Sequence, residues 1–147
     1  MKRLKHALTT LALTGLCGMA AANEIVISQV APLTGVLAST GKQMVIGGQI
    51  YFDHINATGG VNGQKIRLQV ADDGYKVAET VRLTNEALAN PAVVALFGFA
   101  GTANVGQLLA DGVLSRGGAA LVAPYTGGEP LRLFHRQRPE RPTRLVC

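Results

Sequence analysis

The stretch GFAGTANVG, which begins at Gly98, holds the residue types in this sequence that are best suited to binding an anion. Gly98 and Gly101 allow the backbone to approach a ligand closely, and Thr102 supplies a hydroxyl that can also cap a helix. If a helix begins here, the backbone N–H groups of Ala103 and Asn104 point outward at the positive end of its dipole. A small anion fits such a turn. The alternative is a tight turn in which the glycines and Thr102 only shape the backbone.

The surrounding sequence favours a single carboxylate over a polyphosphate as the anion. Neither nucleotide-binding pattern, GxxxxGK[ST] or GxGxxG, occurs in the chain, and no lysine or arginine lies near the turn. A carboxylate needs only backbone amides and hydroxyls to be held.

Four apolar runs and three amphipathic stretches alternate along the chain. The runs predicted as strands are IVISQV, KIRLQVADD, AVVALFGF and GGAALVAP, and the predicted helices cover residues 41–57, residues 76–90 and a stretch from near residue 102. This order predicts an α/β fold, a doubly wound and mostly parallel sheet with helices on both faces.

The apolar spacing also predicts which helix faces are buried. In the first helix we expect Val45, Ile46, Ile50, Phe52 and Ile55 to lie on or near the packed face. In the third helix the corresponding residues are Val105, Leu108, Leu109, Gly112 and Val113.

Loops that follow parallel strands share one edge of the sheet, and ligands bind there. The loops concerned are APLTGVLASTG, ADDGYK, GFAGTANVG and APYTGGEP. Asp72 and Asp73, in the second loop, are expected to close its turn rather than to bind a metal or ligand, since neighbouring strand residues point to opposite faces.

The net charge of +5 belongs to the two ends of the chain. From residue 23 to residue 131 there are six basic and eight acidic residues, with no basic cluster and no tryptophan. No nucleic-acid partner is therefore expected.

Residues 1–22 have the basic start, short apolar stretch and small residues of a secretory signal peptide, with cleavage expected after Ala22. Export to the periplasm and no membrane insertion after cleavage follow from this prediction. Lipid attachment at Cys17 is a weaker alternative, because the bulky Leu16 precedes it. No internal disulfide is expected, since Cys17 leaves with the signal and Cys147 is the other cysteine.

The amino-acid composition of the chain changes after residue 131. Residues 132–147 are rich in arginine and proline and show no usable periodicity. This tail is predicted to be either disordered and solvated or the product of a reading-frame change.

The motifs PLTG, DHINATGGVNGQKI, the DD that ends the second strand and the Gly-x-x-Gly-Thr loop together resemble a known family. It is the type I periplasmic binding proteins of branched-chain amino-acid ABC transporters, the leucine/isoleucine/valine-binding family. The resemblance covers roughly residues 24–132, so residues 23–131 are expected to form part of the N-terminal lobe of a periplasmic ligand-binding domain.

The resemblance implies a set of ligand-binding residues. It places Thr102 where a hydroxyl holds the ligand carboxylate, assisted by backbone N–H groups. It also places Ser39 and Thr40 near the ligand side chain, where several members have an aromatic residue. The full expected set is Gly101, Thr102, Ala103, Asn104, Tyr125, Thr126, Gly127, Ser39 and Thr40.

The function implied is capture of an amino acid or similar small carboxylate for an ABC transporter permease, with no catalytic residues, metal or cofactor. The same lobe in a receptor or an amide-responsive regulator is the alternative. An exported enzyme has no support from a GxSxG or HExxH motif. The family's second lobe would complete the cleft, so a chain with only part of one lobe is expected to bind very weakly, if at all.

Overall fold

The computed structural model describes residues 24–128 and the short strand Leu145–Val146. The strands are β1 (Ile25–Ala31), β2 (Ile66–Asp72), β3 (Val93–Phe97), β4 (Ala120–Val122) and β5 (Leu145–Val146). The helices are α1 (Ala38–Ala57), α2 (Val77–Ala89), α3 (Thr102–Ala110) and α4 (Val113–Gly117). The predicted signal peptide over residues 1–22 and most of the tail over residues 132–147 lie outside the described residues.

The strands form one sheet in the order β2-β1-β3-β4-β5, and every strand pair in it is parallel. The predicted parallel α/β fold is confirmed. No strand was expected in the tail over residues 132–147. In the structure, its residues Leu145 and Val146 pair with Leu121 and Val122 of β4.

Helices cover both faces of the sheet, as successive residues of β3 illustrate. Leu96 belongs to the core cluster shared with α3 and α4, while the ring of Phe97 packs edge-on against Phe52 of α1 at a centroid distance of 5.4 Å. Since neighbouring strand residues point to opposite faces, α1 lies on one side and α2 to α4 on the other. Burial of each large core side chain, such as Leu108 or Leu121, contributes roughly 2 kcal/mol.

The expected packed face of α1 is partly wrong. Phe52 is buried, but Ile46 and Ile50 are 51% and 65% exposed. The helix packs against the rest of the chain at Gly41 and Gly48 instead. A Cβ at Gly41 would lie 2.0 Å from the carbonyl oxygen of Pro32, and one at Gly48 would lie 2.8 Å from the ring of Phe97, so the backbone itself makes the contact.

The third predicted helix is two helices in the structure. Val105, Leu108 and Val113 are buried as expected, and Leu109 packs against the same cluster. Between α3 and α4, however, Gly112 adopts a left-handed φ of 65°, which ends the first helix and turns the chain.

Among the described residues, no helix is long and apolar enough to span a bilayer. These residues also contain no group of three or more His, Cys, Asp or Glu side chains placed to hold a metal ion.

Candidate functional site

The start of α3 is fastened to the loop that follows β4. The N–H of Gly101 donates to the carbonyl of Tyr125 at 3.1 Å, and the N–H of Tyr125 donates to the carbonyl of Phe99 at 2.7 Å. These bonds extend the parallel pairing of β3 and β4 beyond the strands, through the bridge between Ala100 and Tyr125. Two of the predicted ligand loops are therefore neighbours at the carboxyl edge of the sheet.

Thr102 is the first helical residue of α3 rather than its cap. The cap is Gly101, whose φ of 103° and ψ of 130° suit only glycine, and no side chain bonds back to the first turn. The expectation that Thr102 caps the helix is therefore wrong. Its hydroxyl instead lies 2.8 Å from that of Thr126, which accepts the N–H of Gly128 at 3.1 Å.

Three backbone N–H groups at this turn, those of Thr102, Ala103 and Asn104, donate no hydrogen bond within the described residues. The first intrahelical bond runs from the N–H of Val105 to the carbonyl of Gly101 at 3.0 Å. Within residues 24–128, no acceptor lies in hydrogen-bonding range of the N–H groups of Ala103 and Asn104. Unbonded N–H groups and the helix dipole together attract an anion, and the hydroxyls of Thr102 and Thr126 lie beside them.

The side chain of Asn104 points into the protein, and the residue as a whole is only 2% exposed. Its Nδ2 donates to the hydroxyl of Thr80 at 2.7 Å, and that hydroxyl donates to Oδ2 of Asp73 at 2.6 Å. All three residues are buried. This chain of hydrogen bonds supports the first turn of α3 from α2 and from the loop after β2.

The two glycines of the turn make room for side chains of this chain. A Cβ at Gly98 would lie 2.6 Å from Nε2 of Gln29, whose amide donates to the carbonyl of Gly98 at 3.2 Å. A Cβ at Gly101 would lie 2.6 Å from Oδ1 of Asn104 and 2.7 Å from the ring of Tyr75. Both glycines are therefore required by close internal packing, and close approach of a ligand at them stays a prediction.

A cleft of about 410 Å³ opens at this corner. Its lining residues, none of them charged, are Leu37, Tyr75, Gly101, Thr102, Pro124, Tyr125, Thr126 and Gly127. Five of the nine expected site residues line the cleft, namely Gly101, Thr102, Tyr125, Thr126 and Gly127. Ala103 and Asn104 follow Thr102 in the first turn of α3 but do not line the cleft.

Ser39 and Thr40 do not line this cleft. They lie in the first turn of α1, where Leu37 occupies the cap position, and no side chain bonds back to the backbone there. Leu37 is the residue of this loop that reaches the cleft. Ser39 and Thr40 also do not cap the first helix, because it begins at Ala38 rather than near Gly41.

The cleft includes three residues that the sequence analysis did not select: Leu37, Tyr75 and Pro124. Each lies in a loop that was expected to contribute to the ligand-binding edge, so their membership of those loops could have indicated them. No sequence pattern, however, indicates that Tyr75 turns toward α3.

Asp72 joins two loops beneath the same edge. Its Oδ1 accepts the N–H groups of Leu33 at 2.8 Å, Thr34 at 3.2 Å and Gly74 at 2.9 Å, and its Oδ2 accepts the hydroxyl of Thr34 at 2.7 Å. The hydrogen bond from the Thr34 hydroxyl has the largest effect on the pKa of Asp72. Together with the backbone hydrogen bonds, it lowers that pKa from 3.8 to about 2, against the opposing effect of desolvation. The expectation that Asp72 and Asp73 close the turn after β2 is confirmed.

Comparison with known proteins places this geometry in a family. The model of the periplasmic binding protein family matches residues 24–130. The chain belongs to this family. It is 32% identical over 126 residues to the Leu/Ile/Val-binding protein homolog 3 of Brucella melitensis, which covers 84% of this chain and 33% of that protein. The resemblance to the leucine/isoleucine/valine-binding proteins is confirmed.

Solved structures agree with the fold of this periplasmic binding protein. A substrate-binding periplasmic protein from Ralstonia solanacearum matches with a TM-score of 0.70 and 41% identity, over 71% of this chain and 30% of that one. A branched-chain amino acid transporter substrate binding protein from Streptococcus pneumoniae, in complex with isoleucine, matches with a TM-score of 0.63 and 26% identity, over 71% and 30%. This chain thus spans about a third or less of the length of these relatives.

Proposed function

We propose that this chain belongs to the substrate-binding component of an ABC transporter and binds the carboxylate of an amino acid or similar small acid. The observation that carries the proposal is the pairing of the Thr102 and Thr126 hydroxyls beside the open N–H groups of Ala103 and Asn104. Two hydroxyls and two backbone amides supply the donors that a carboxylate accepts.

The uncharged lining of the cleft supports a singly charged ligand. None of its eight residues is a lysine or arginine that could neutralise several negative charges. One carboxylate requires no more than the dipole of α3 and the local hydrogen bonds. Isoleucine, bound by the Streptococcus pneumoniae relative, carries such a group.

We expect the chain on its own to bind weakly. Thr102 is exposed, and the cleft is open to water. Hydrogen bonds that compete with water contribute less than desolvated ones, so dissociation constants in roughly the millimolar range are expected. About two thirds of each relative has no counterpart here, and we propose that this additional part encloses the ligand.

We propose that the chain works in the periplasm after cleavage behind Ala22 and delivers its ligand to a permease. The family supports this location, and the basic and apolar pattern of residues 1–22 supports the cleavage site. Mass spectrometry of protein secreted into the periplasm should find an N-terminus at Asn23.

The ligand site can be tested by titrating the chain with amino acids and simple carboxylic acids while the amide NMR signals of Ala103 and Asn104 are followed. The double variant T102V/T126V removes both hydroxyls with little change in shape. We expect it to bind acetate about tenfold more weakly with an unchanged melting temperature. Thr58→Val, which removes an exposed hydroxyl at the far end of α1, is the matched control.

Two results would count against the proposal. One is the absence of any carboxylate-dependent shift at the two amides up to high millimolar ligand. The other is equal acetate affinity in the double variant and the Thr58→Val control.

A further inference from the structure

Tyr75 lies in the wall of the cleft in an unusual backbone conformation. Its φ is 62°, in the left-handed region that a bulky residue rarely adopts. Residues held in such conformations persist only where the surrounding structure fixes them, and they occur often at ligand sites. Tyr75 is half-buried, so part of its ring packs inside and part faces the cleft.

Buried hydrogen bonds hold this conformation in place. The N–H of Tyr75 donates to Oδ1 of Asp73 at 2.9 Å. The other oxygen of Asp73 accepts the hydroxyl of Thr80, which is bonded in turn by Asn104 of α3. The backbone that carries the tyrosine is therefore fastened to the same helix whose N-terminus offers the open amides.

The ring of Tyr75 reaches the anion-binding turn because Gly101 has no side chain. A Cβ at Gly101 would lie 2.7 Å from Cε2 of Tyr75, closer than non-bonded Cβ contacts in proteins come. The ring edge thus lies directly against the residue that precedes Thr102. A carboxylate held at Thr102 would place the rest of its molecule beside this ring.

We propose that Tyr75 is a specificity-determining residue that forms a fixed aromatic wall and favours carboxylates carrying an aromatic group. The inference rests on the proposed function, since the carboxylate must be held at Thr102 for the ring to select what is attached to it. Aromatic groups prefer offset or edge-to-face contact with one another, and a ring whose backbone is held by a hydrogen bond provides that contact at a reduced entropic cost.

Acetate and phenylacetate test the carboxylate site and the proposed aromatic wall separately. Both present a carboxylate, and only phenylacetate presents a ring. We expect phenylacetate to bind the full chain more tightly than acetate, with dissociation constants measured from the amide shifts of Ala103 and Asn104. Tyr75→Asn introduces a residue that tolerates left-handed φ and removes the ring, so it should lower the ratio of phenylacetate affinity to acetate affinity about three- to tenfold.

Two control variants limit the interpretation. Tyr75→Phe keeps the ring and should keep the ratio. Tyr51→Phe changes an exposed tyrosine of α1 that does not line the cleft and should also keep it. A thermal melt of each variant reports whether the fold is retained.

The outcomes distinguish this inference from the function on which it rests. An unchanged affinity ratio in Tyr75→Asn, with acetate still shifting the α3 amides, overturns the role of Tyr75 alone. No shift of those amides by acetate in the unaltered chain overturns the carboxylate site and this inference with it. If Tyr75→Asn fails to fold, nuclear Overhauser contacts between phenylacetate and the Tyr75 ring in the unaltered chain decide, and their absence from a bound complex overturns the proposal.

Discussion

Two turns at the carboxyl edge of the sheet contain the same donor groups, but only one of them already holds an anion. In the loop after β1, the carboxylate of Asp72 accepts the N–H groups of Leu33 and Thr34 and the hydroxyl of Thr34. At the start of α3, Thr102 offers a hydroxyl beside two open N–H groups, and no side-chain carboxylate of the described residues occupies the turn.

The first turn shows how this chain binds a carboxylate. Asp72 uses backbone amides and one threonine hydroxyl, with no lysine or arginine among its hydrogen-bond partners, and its pKa falls to about 2 as a result. The proposed site at Thr102 contains the same donor types, so we expect it to favour the ionised form of a carboxylic acid.

The largest difference between the two turns is expected on replacing their glycines. Gly101→Ala places a side chain at a φ of 103° and against Asn104 and Tyr75, so we expect it to lower the free energy of unfolding by about 3 kcal/mol. Gly35→Ala, at a φ of 78° and 3.0 Å from the carbonyl of Gly74, should cost about 1 to 2 kcal/mol. Urea unfolding measures both.

Gly106→Ala is the control for these substitutions, because it lies within α3 and its added Cβ meets nothing within 4 Å. It should stabilise the chain by up to about 1 kcal/mol. A Gly101→Ala variant as stable as Gly106→Ala would contradict the close packing described around Gly101.

Removing the support beneath the open turn should have the next largest effect. Asn104→Ala leaves the buried hydroxyl of Thr80 without its donor, and we expect a loss of about 2 kcal/mol in unfolding free energy. Gln107→Ala, on the exposed side of the same helix, should cost less than about 0.5 kcal/mol. Equal losses in the two variants would mean that the buried chain of hydrogen bonds does not stabilise α3.

The filled turn should show a dependence on pH. The pKa of Asp72 is lowered in the folded chain, so its stabilising effect is complete above the unfolded value of 3.8 and is lost as the pH falls from about 4 to about 2. Because Asp72 is exposed and screened by solvent, Asp72→Asn should cost only about 1 kcal/mol at pH 7. The difference between the variant and the original chain should shrink toward pH 2.

Asp53→Asn is the matched control for this pH dependence, since that exposed carboxylate accepts only the side chain of Gln49 in the same helix. Its unfolding free energy should stay within about 0.5 kcal/mol of the original. A cost for Asp72→Asn that is the same at pH 7 and at pH 2 would show that ionisation of Asp72 does not stabilise the fold.

The smallest expected effect is the sharpest test of the likeness between the turns. Asp72→Ala empties the first turn, and added acetate should then bind there as well as at α3. At a concentration near its dissociation constant, acetate should restore roughly 0.4 kcal/mol of the lost stability. Acetate that shifts only the α3 amides in this variant would show that the two turns differ in more than occupancy.

The sequence predicted the order of the elements and the edge at which the site lies. The β-branched run at β1 and the alternation of Ile66, Leu68 and Val70 in β2 report burial by a sheet, and helical spacing separates the strands. Parallel order then places the loops after β3 and β4 together, which is why Thr102 and Thr126 meet as neighbours.

The close contacts made at glycines could not be predicted in the same way, because a glycine has no side chain to contribute to a hydrophobic pattern. Apolar periodicity predicted that Ile46 and Ile50 lie on the packed face of α1. In the structure, the helix packs against the rest of the chain at Gly41 and Gly48 instead. The position of Tyr75 in the cleft could not be predicted for a related reason, since it depends on a backbone angle and on the absence of a side chain at Gly101.

The position of β1 between β2 and β3 has a consequence for how the chain folds during synthesis. β1 leaves the ribosome before both of these partners, so it must wait for β2 on one side and for β3 on the other, with an entire helix made before each partner arrives. Distant pairings of this kind are slow to form. The most buried strand of the finished sheet is therefore the one whose edges stay unpaired longest in the nascent polypeptide.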